Sequence, residues 1–279
     1  LDAQDDRRRR AQVHGVIAGA LNGRLVAAGV AVAATTAIGV GLLLELERSR
    51  QDEEATALPA PVRPAFSIPR PAPIASPRHA SRWAIVLRPA AARAAPAPHS
   101  AVVATLGMST SEGTPNVVLV LENAVRGGRA WVKVRLPVLP NNTTGWVTRS
   151  ALGGYRVVQT RLVVDRAGLQ ATLLRNGRPV FRAPVGIGSP SWPTPGGEFY
   201  VRSRLRGFKS AFYGPLAFGT SARSSVLTDW PAGGFVGIHG TDRPDLLPGQ
   251  VSHGCIRMRN ADILELGRLM PVGTPVSIT

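Results

Sequence analysis

The sequence predicts a mostly β protein in two folded parts, carrying one packed helix and preceded by a transmembrane helix. Three observations predict it. Short β-branched runs separated by turn residues recur from residue 81 to the end, a spacing that suits small barrels and sandwiches. One stretch alone, Asn260 to Met270, has a clear helical apolar stripe. The run Leu25 to Leu44 is apolar over twenty residues with no charge.

A helix over that run, at ~1.5 Å per residue, spans ~30 Å, the thickness of a bilayer core. No helical period gives it a polar face, which separates it from a helix packed in a soluble core. A cleaved signal peptide has an apolar region of only ~7–15 residues and a small-residue cleavage site just after it. Here Glu45, Glu47, Arg48 and Arg50 follow at once, so the run reads as an uncleaved anchor. Arg7 to Arg10 and Arg24 precede it. The positive-inside rule then puts residues 1–24 in the cytoplasm and everything past about residue 50 outside, as in a single-pass protein of a bacterial cell membrane. Residues 45–80 are rich in Pro and Ala and short of large apolar groups, and they read as a semi-rigid extracytoplasmic spacer.

Residues 81–153 hold four strand candidates: Trp83 to Leu87, Val117 to Leu121, Trp131 to Leu136 and Gly145 to Val147. Glu112-Gly113, Gly127-Gly128 and Asn141-Asn142 punctuate them. The pairing of Trp131-Val132-Lys133-Val134 with Gly145-Trp146-Val147 resembles bacterial SH3-like domains of envelope proteins, which implies a small SH3-like β-barrel. It is expected to bind or position glycan strands and do no chemistry.

Residues 155–279 continue as strands: Leu162 to Asp165, Gln170 to Leu174, Phe199 to Val201, Gly234 to Ile238 and Pro275 to Ile278. Asn176-Gly177 is the pair a tight hairpin demands. In the helix, Asn260 is the expected N-cap, Ile263, Leu266 and Met270 form the stripe, and Pro271-Val272-Gly273 ends it.

Lys and Arg number 33 against 17 Asp and Glu, a net charge of +16. The arginines are scattered, with no basic stripe interleaved with aromatics, which argues against a nucleic-acid partner and for an anionic membrane or wall. The single cysteine, Cys255, has no intramolecular disulfide partner. A lone Cys is most often a small buried hydrophobe, but two of the chain's five histidines, His239 and His253, lie close to it in sequence. A thiol attacks carbonyls as the thiolate, with an ordinary pKa of ~8.5, and needs a base beside it. Residue pattern alone leaves either histidine as that base. Gly254 lets the backbone approach a ligand, so that its N–H and that of Cys255 face a developing oxyanion.

The segments His239-Gly240-Thr241 and Ser252-His253-Gly254-Cys255-Ile256-Arg257-Met258 resemble the signature of the L,D-transpeptidases, the YkuD-type catalytic domain. The run from Ala183 to Val201, with Thr194-Pro195-Gly196-Gly197-Glu198-Phe199, is similar to that family's glycine-rich strand and Thr-Pro-x-Gly-x-Phe segment. The resemblance covers about residues 160–279 and implies a mostly β sandwich. It implies Cys255 as nucleophile, His239 as general acid and base, and the Gly240 backbone carbonyl as the group that orients the imidazole. It implies an oxyanion held by backbone N–H groups of His253, Gly254 and Cys255, with Ser252 and Arg257 supporting the loop or the substrate.

The implied reaction is peptidoglycan cross-linking. Cys255 takes the stem tetrapeptide between its third and fourth residues, D-Ala leaves, and an amine of a neighbouring stem resolves the thioacyl-enzyme as a 3→3 link. Water as acceptor makes the same chemistry an L,D-carboxypeptidase. Stem peptides, glycan strands and carbapenem-type inhibitors are the implied partners, and no metal or organic cofactor is implied. Two rivals remain: a non-catalytic wall-binding module, and a zinc-dependent wall hydrolase using His239, His253 and Asp242 or Cys255. The second lacks the tight His-x-x-x-His pairing usual for such sites.

Overall fold

The computed structural model describes residues 79–206, 210–227 and 234–279. The predicted membrane span 25–44, the segment before it and nearly all of the linker lie outside these residues. Among the described residues no helix is long and apolar enough to cross a membrane.

The first sheet has seven strands: β1 (Ser81–Ile85), β2 (Ala90–Arg93), β3 (Val102–Leu106), β4 (Val117–Arg126), β5 (Arg129–Arg135), β6 (Thr144–Thr148) and β7 (Arg156–Val158). Their order is β3-β2-β6-β5-β4-β1-β7. All four sequence-predicted strands are here. Gly127 and Gly128 close the β4–β5 hairpin at φ 55° and 70°, where a side chain would be strained. Ala84, Val118, Val132, Val134 and Val147 fill the core on one face. The strand β7 lies past residue 153, yet it pairs with Ser81 to Trp83 of β1.

The second sheet has ten strands: β8 (Thr160–Asp165), β9 (Gln170–Arg175), β10 (Arg178–Pro184), β11 (Gly186–Gly188), β12 (Gly197–Leu205), β13 (Ala217–Arg223), β14 (Phe235–His239), β15 (Gly249–Ser252), β16 (Ile256–Arg257) and β17 (Pro275–Ile278). They run in the order β10-β9-β8-β17-β12-β13-β14-β16-β11-β15. Asn176 and Gly177, at φ 51° and 79°, make the tight turn between β9 and β10. The one α-helix among the described residues, α1 (Asn260–Leu269), buries Ile263 and Leu266, with Met270 just past its end, in a core shared with Leu162, Leu173, Phe199 and Phe218. The fold is thus mostly β with one packed helix.

The helix start differs from expectation. Arg259, not Asn260, is the N-cap residue, and it makes no side-chain cap. Asn260 is the first helical residue, and its Oδ1 accepts from the Thr241 N–H at 3.0 Å. A tertiary partner has taken the oxygen that a local rule assigned to the helix's own amides.

The two sheets meet through side chains of both. Trp83, Val117, Leu119, Val158 and Tyr200 form one buried cluster, and the Tyr200 hydroxyl donates to the Val117 carbonyl at 3.1 Å. Between β5 and β6, Asn141 uses both ends of its amide: Nδ2 donates to the Arg223 carbonyl at 2.7 Å and Oδ1 accepts from the Arg223 N–H at 3.0 Å. Asn142 Oδ1 accepts from the Glu198 N–H at 2.7 Å.

Candidate active site

Strand pairing builds the site. β14 and β16 run parallel with His239 opposite Arg257 and Ile238 opposite Ile256. One residue earlier, Cys255 stands opposite Gly237. Side chains alternate along a strand, so Gly237 and His239 of β14 share a face. A Cβ placed on Gly237 would lie 3.9 Å from both Cys255 Sγ and His239 Cδ2. Both distances are ordinary van der Waals contact, so thiol and imidazole lie beside the same residue. The Gly237 N–H also donates to Sγ at 3.4 Å.

His239 is 1% exposed. Its Nδ1 meets the Gly240 carbonyl oxygen at 2.6 Å. That oxygen only accepts, so Nδ1 carries the proton and Nε2 presents a lone pair. Nε2 is buried and has no hydrogen-bond partner among the described residues. Burial lowers the imidazole pKa to about 4, against the raising effect of the Gly240 bond and with help from the Arg257 charge. Burial likewise pushes the Cys255 thiol up, while the Gly237 N–H and Arg257 pull it down. Thiol and imidazole therefore rest as a neutral pair.

The Gly240 carbonyl is itself held. Its peptide unit ends in the Thr241 N–H, and that N–H is the group bound by Asn260 Oδ1. A side chain on Gly240 would collide with Asn260 and come within 3.0 Å of the Gly214 Cα. Asn260→Ala is expected to slow acylation of Cys255 by about tenfold and to cost ~1–2 kcal/mol of stability, because a buried N–H loses its acceptor. Asn260→Asp keeps an acceptor and should retain most of the rate. Acylation kinetics with thermal melts read both, and an Ala variant at full rate would detach Asn260 from the site.

The loop before Cys255 is pinned by hydroxyls. Ser252 Oγ donates to the Cys255 carbonyl at 2.6 Å and accepts from the Gly254 N–H at 3.1 Å. The Gly254 N–H, one of the expected oxyanion donors, points to the Ser252 hydroxyl in this structure. Gly254 itself has φ 111°, which a side chain tolerates poorly. Thr194 Oγ1 donates to the Gly254 carbonyl and accepts from the Gly188 N–H, both at 2.8 Å. Thr194 is therefore the buried tie that the Thr-Pro segment supplies.

Cys255, His239, Ser252, His253 and Arg257 all line one cleft with Phe212 and Tyr213. The sequence pairing of His239 with Cys255 is met in space. His253 is exposed and its ring lies against Trp192, centroids 4.3 Å apart. Phe212 and Tyr213 flank His239, with centroids at 5.8 and 5.1 Å. The sequence assigns these three aromatics no role at the site and offers Asn260 only as a helix cap. Only Thr194 carried a signal, in its Thr-Pro-x-Gly context. Among the described residues no three of His, Cys, Asp and Glu converge as a metal site.

Residues 159–278 match the YkuD family, the L,D-transpeptidase catalytic domain. Both YkuD-type signatures quoted above fall inside that span. YkuD of Bacillus subtilis, a candidate L,D-transpeptidase, is 36% identical over 107 residues, 38% of this chain and 58% of its own length. Its Bacillus licheniformis counterpart is 37% identical over 119 residues, 43% of this chain and 65% of its own. The chain thus spans about six tenths of the length of these relatives. The catalytic domain of an Enterococcus faecium L,D-transpeptidase, solved by NMR, is 26% identical, with a TM-score of 0.33, over 43% of this chain and 96% of that one.

Proposed function

We propose that the chain is a cell-envelope L,D-transpeptidase that forms 3→3 cross-links through a thioacyl-enzyme on Cys255. One observation carries the reading. A buried imidazole, fixed by the Gly240 carbonyl so that its Nε2 lone pair is bare, lies beside Gly237 with the only thiol. Nε2 takes the thiol proton as Sγ attacks the carbonyl carbon of the third stem residue. The oxyanion is held by backbone amides of the Ser252–Cys255 loop other than Gly254. Collapse expels D-Ala, whose amine takes the proton from His239. The side-chain amine of a second stem then attacks the thioester and restores the thiol.

Two features support an envelope setting: the apolar run Leu25 to Leu44 behind N-terminal arginines, and the net charge of +16 facing an anionic wall. The first sheet, in the SH3-like reading, positions glycan strands. The test is mass spectrometry of the protein mixed with a disaccharide-tetrapeptide and, separately, with a carbapenem. Expected are a single adduct on Cys255, free D-Ala, and a 3→3 dimer. Tripeptide without dimer would convert the reading to an L,D-carboxypeptidase, and no adduct with either compound would end it.

A further inference from the structure

We infer that Asn141, on the loop between β5 and β6 of the first sheet, is a positioning residue for substrate in the Cys255 cleft, because it holds the strand end from which one wall of that cleft is built. That the cleft takes a stem peptide rests on the acyl-transfer reading above; the held wall does not. The amide of Asn141 pairs with both backbone groups of Arg223, donating to its carbonyl at 2.7 Å and accepting from its N–H at 3.0 Å. A neighbouring strand would satisfy a backbone in this way; here a side chain 82 residues away does it. Two further bonds fix the loop that carries Asn141. Thr143 Oγ1 donates to the Pro140 carbonyl at 2.6 Å, and Asn142 Oδ1 accepts from the Glu198 N–H of β12 at 2.7 Å. The loop is thus fastened to β12 and to β13 by separate residues.

The wall follows directly from Arg223. The next residue, Ser224, lines the cleft together with Leu227, Gly234, Phe235 and Val236. Ser224 Oγ accepts from the Val226 and Leu227 amides at 3.2 and 2.9 Å, and the Ser224 N–H donates to the Gly234 carbonyl at 2.8 Å. Arg223 itself stands opposite Phe235 across β13 and β14. Its guanidinium carbon lies 5.0 Å from the Phe235 ring centroid, and that of buried Arg202 lies 4.2 Å from it. Two cations over one ring hold an aromatic side chain that is only half-buried. The end of β13 therefore sets both the turn at Ser224 and the place of Phe235, and Asn141 holds that end. Cys255 and His239 depend on other contacts: the Gly237 N–H, the Ser252 hydroxyl and the Gly240 carbonyl. Loss of the Asn141 amide should disturb what the cleft holds and leave the thiol and its base in place.

The test is steady-state release of D-Ala from a disaccharide-tetrapeptide by the full chain, set beside alkylation of Cys255 by iodoacetamide, a small reagent that needs no wall. Asn141→Ala is expected to raise KM by ~10-fold, the worth of one lost positioning contact, and to change kcat by less than ~3-fold. Iodoacetamide should react at the wild-type rate and with the wild-type pH profile. A merely structural role would lower the active fraction, which reduces kcat and leaves KM alone. Asn141→Asp keeps an acceptor for the Arg223 N–H but no donor for its carbonyl, and should fall between. Phe235→Leu alters the wall itself and should raise KM too; adding Asn141→Ala to it should raise KM by less than the product of the two single effects. An unchanged KM in Asn141→Ala, or single effects that multiply in full, overturns the proposal. Should the Ala variant not fold, Asn141→Asp decides by the same KM. If the wild type releases no D-Ala, the acyl-transfer reading fails and the wall is judged by N-phenylmaleimide, whose double bond takes up Sγ and a proton. Its rate relative to iodoacetamide should then fall ~3-fold or more in Asn141→Ala, as a bulky reagent loses its apolar wall, and an equal ratio overturns the proposal.

Discussion

Cys255→Ser is expected to lose acylation altogether while its thermal unfolding stays within about 1 kcal/mol of the wild type. The substitution keeps the shape and the Gly237 N–H contact. What it removes is a nucleophile whose proton this site can take. Burial holds the imidazole of His239 near 4, a weak base. Such a base serves a thiol because the thiolate is nucleophilic even at a small population. A hydroxyl is far more basic once ionised, and among the described residues the hydrogen-bond partner of the His239 ring is the neutral Gly240 carbonyl, not a carboxylate. Intact-protein mass spectrometry with a carbapenem reads the result. Acylation of the Ser variant at a measurable rate would require abandoning the cysteine mechanism.

His239→Ala should slow acylation by ~10²- to 10⁴-fold at neutral pH, the usual worth of a positioned general base. The loss should shrink as pH rises and the thiol ionises unaided. That recovery should come above the ordinary cysteine range, because burial outweighs the Gly237 N–H and the Arg257 charge. The wild type should behave differently at the acid end. Protonation removes the Nε2 lone pair, so the rate falls only as pH drops through the lowered value of about 4 and should hold across the usual histidine range near 6.5. His253→Ala should cost less than ~10-fold, since the exposed ring packs on Trp192 and alanine keeps the backbone. A pH series of acylation rates on the three proteins checks all of this. A dead His253→Ala beside a nearly active His239→Ala would reverse the assignment of the base.

The β-branched runs were legible because their alternation maps directly onto one buried face, as at Leu162 and Val164. The strand β13, Ala217-Phe218-Gly219-Thr220-Ser221-Ala222-Arg223, was not. It lies inside the sheet between β12 and β14, and small polar residues fit there because tertiary partners satisfy them. Thr220 Oγ1 donates to the Val236 carbonyl at 2.6 Å, and Ser221 Oγ accepts from the Tyr200 N–H at 3.1 Å. The alanines of β2 hid that strand for a similar reason: Ala has weak β preference, and Ala92 is buried by packing rather than size. The Cys255 and His239 pair was legible as residue types at a spacing. That Gly237 lies beside both of them, and that Asn260 holds the peptide behind His239, follow only from strand register and a contact nineteen residues apart.

The double grip of Asn141 on Arg223 bears on how the chain can be cut and rejoined. Arg223 ends β13, and β13 runs hydrogen-bonded alongside the strand that terminates in His239. The loop between β5 and β6 is thereby tied to the end of the strand that pairs with the one carrying the base. A chimera that fuses residues 155–279 to a foreign carrier would strip the Arg223 backbone of its amide partner and bare Tyr200. A transplantable catalytic unit must bring the Leu136–Thr144 loop with it, or carry a surrogate for Asn141 on its new host.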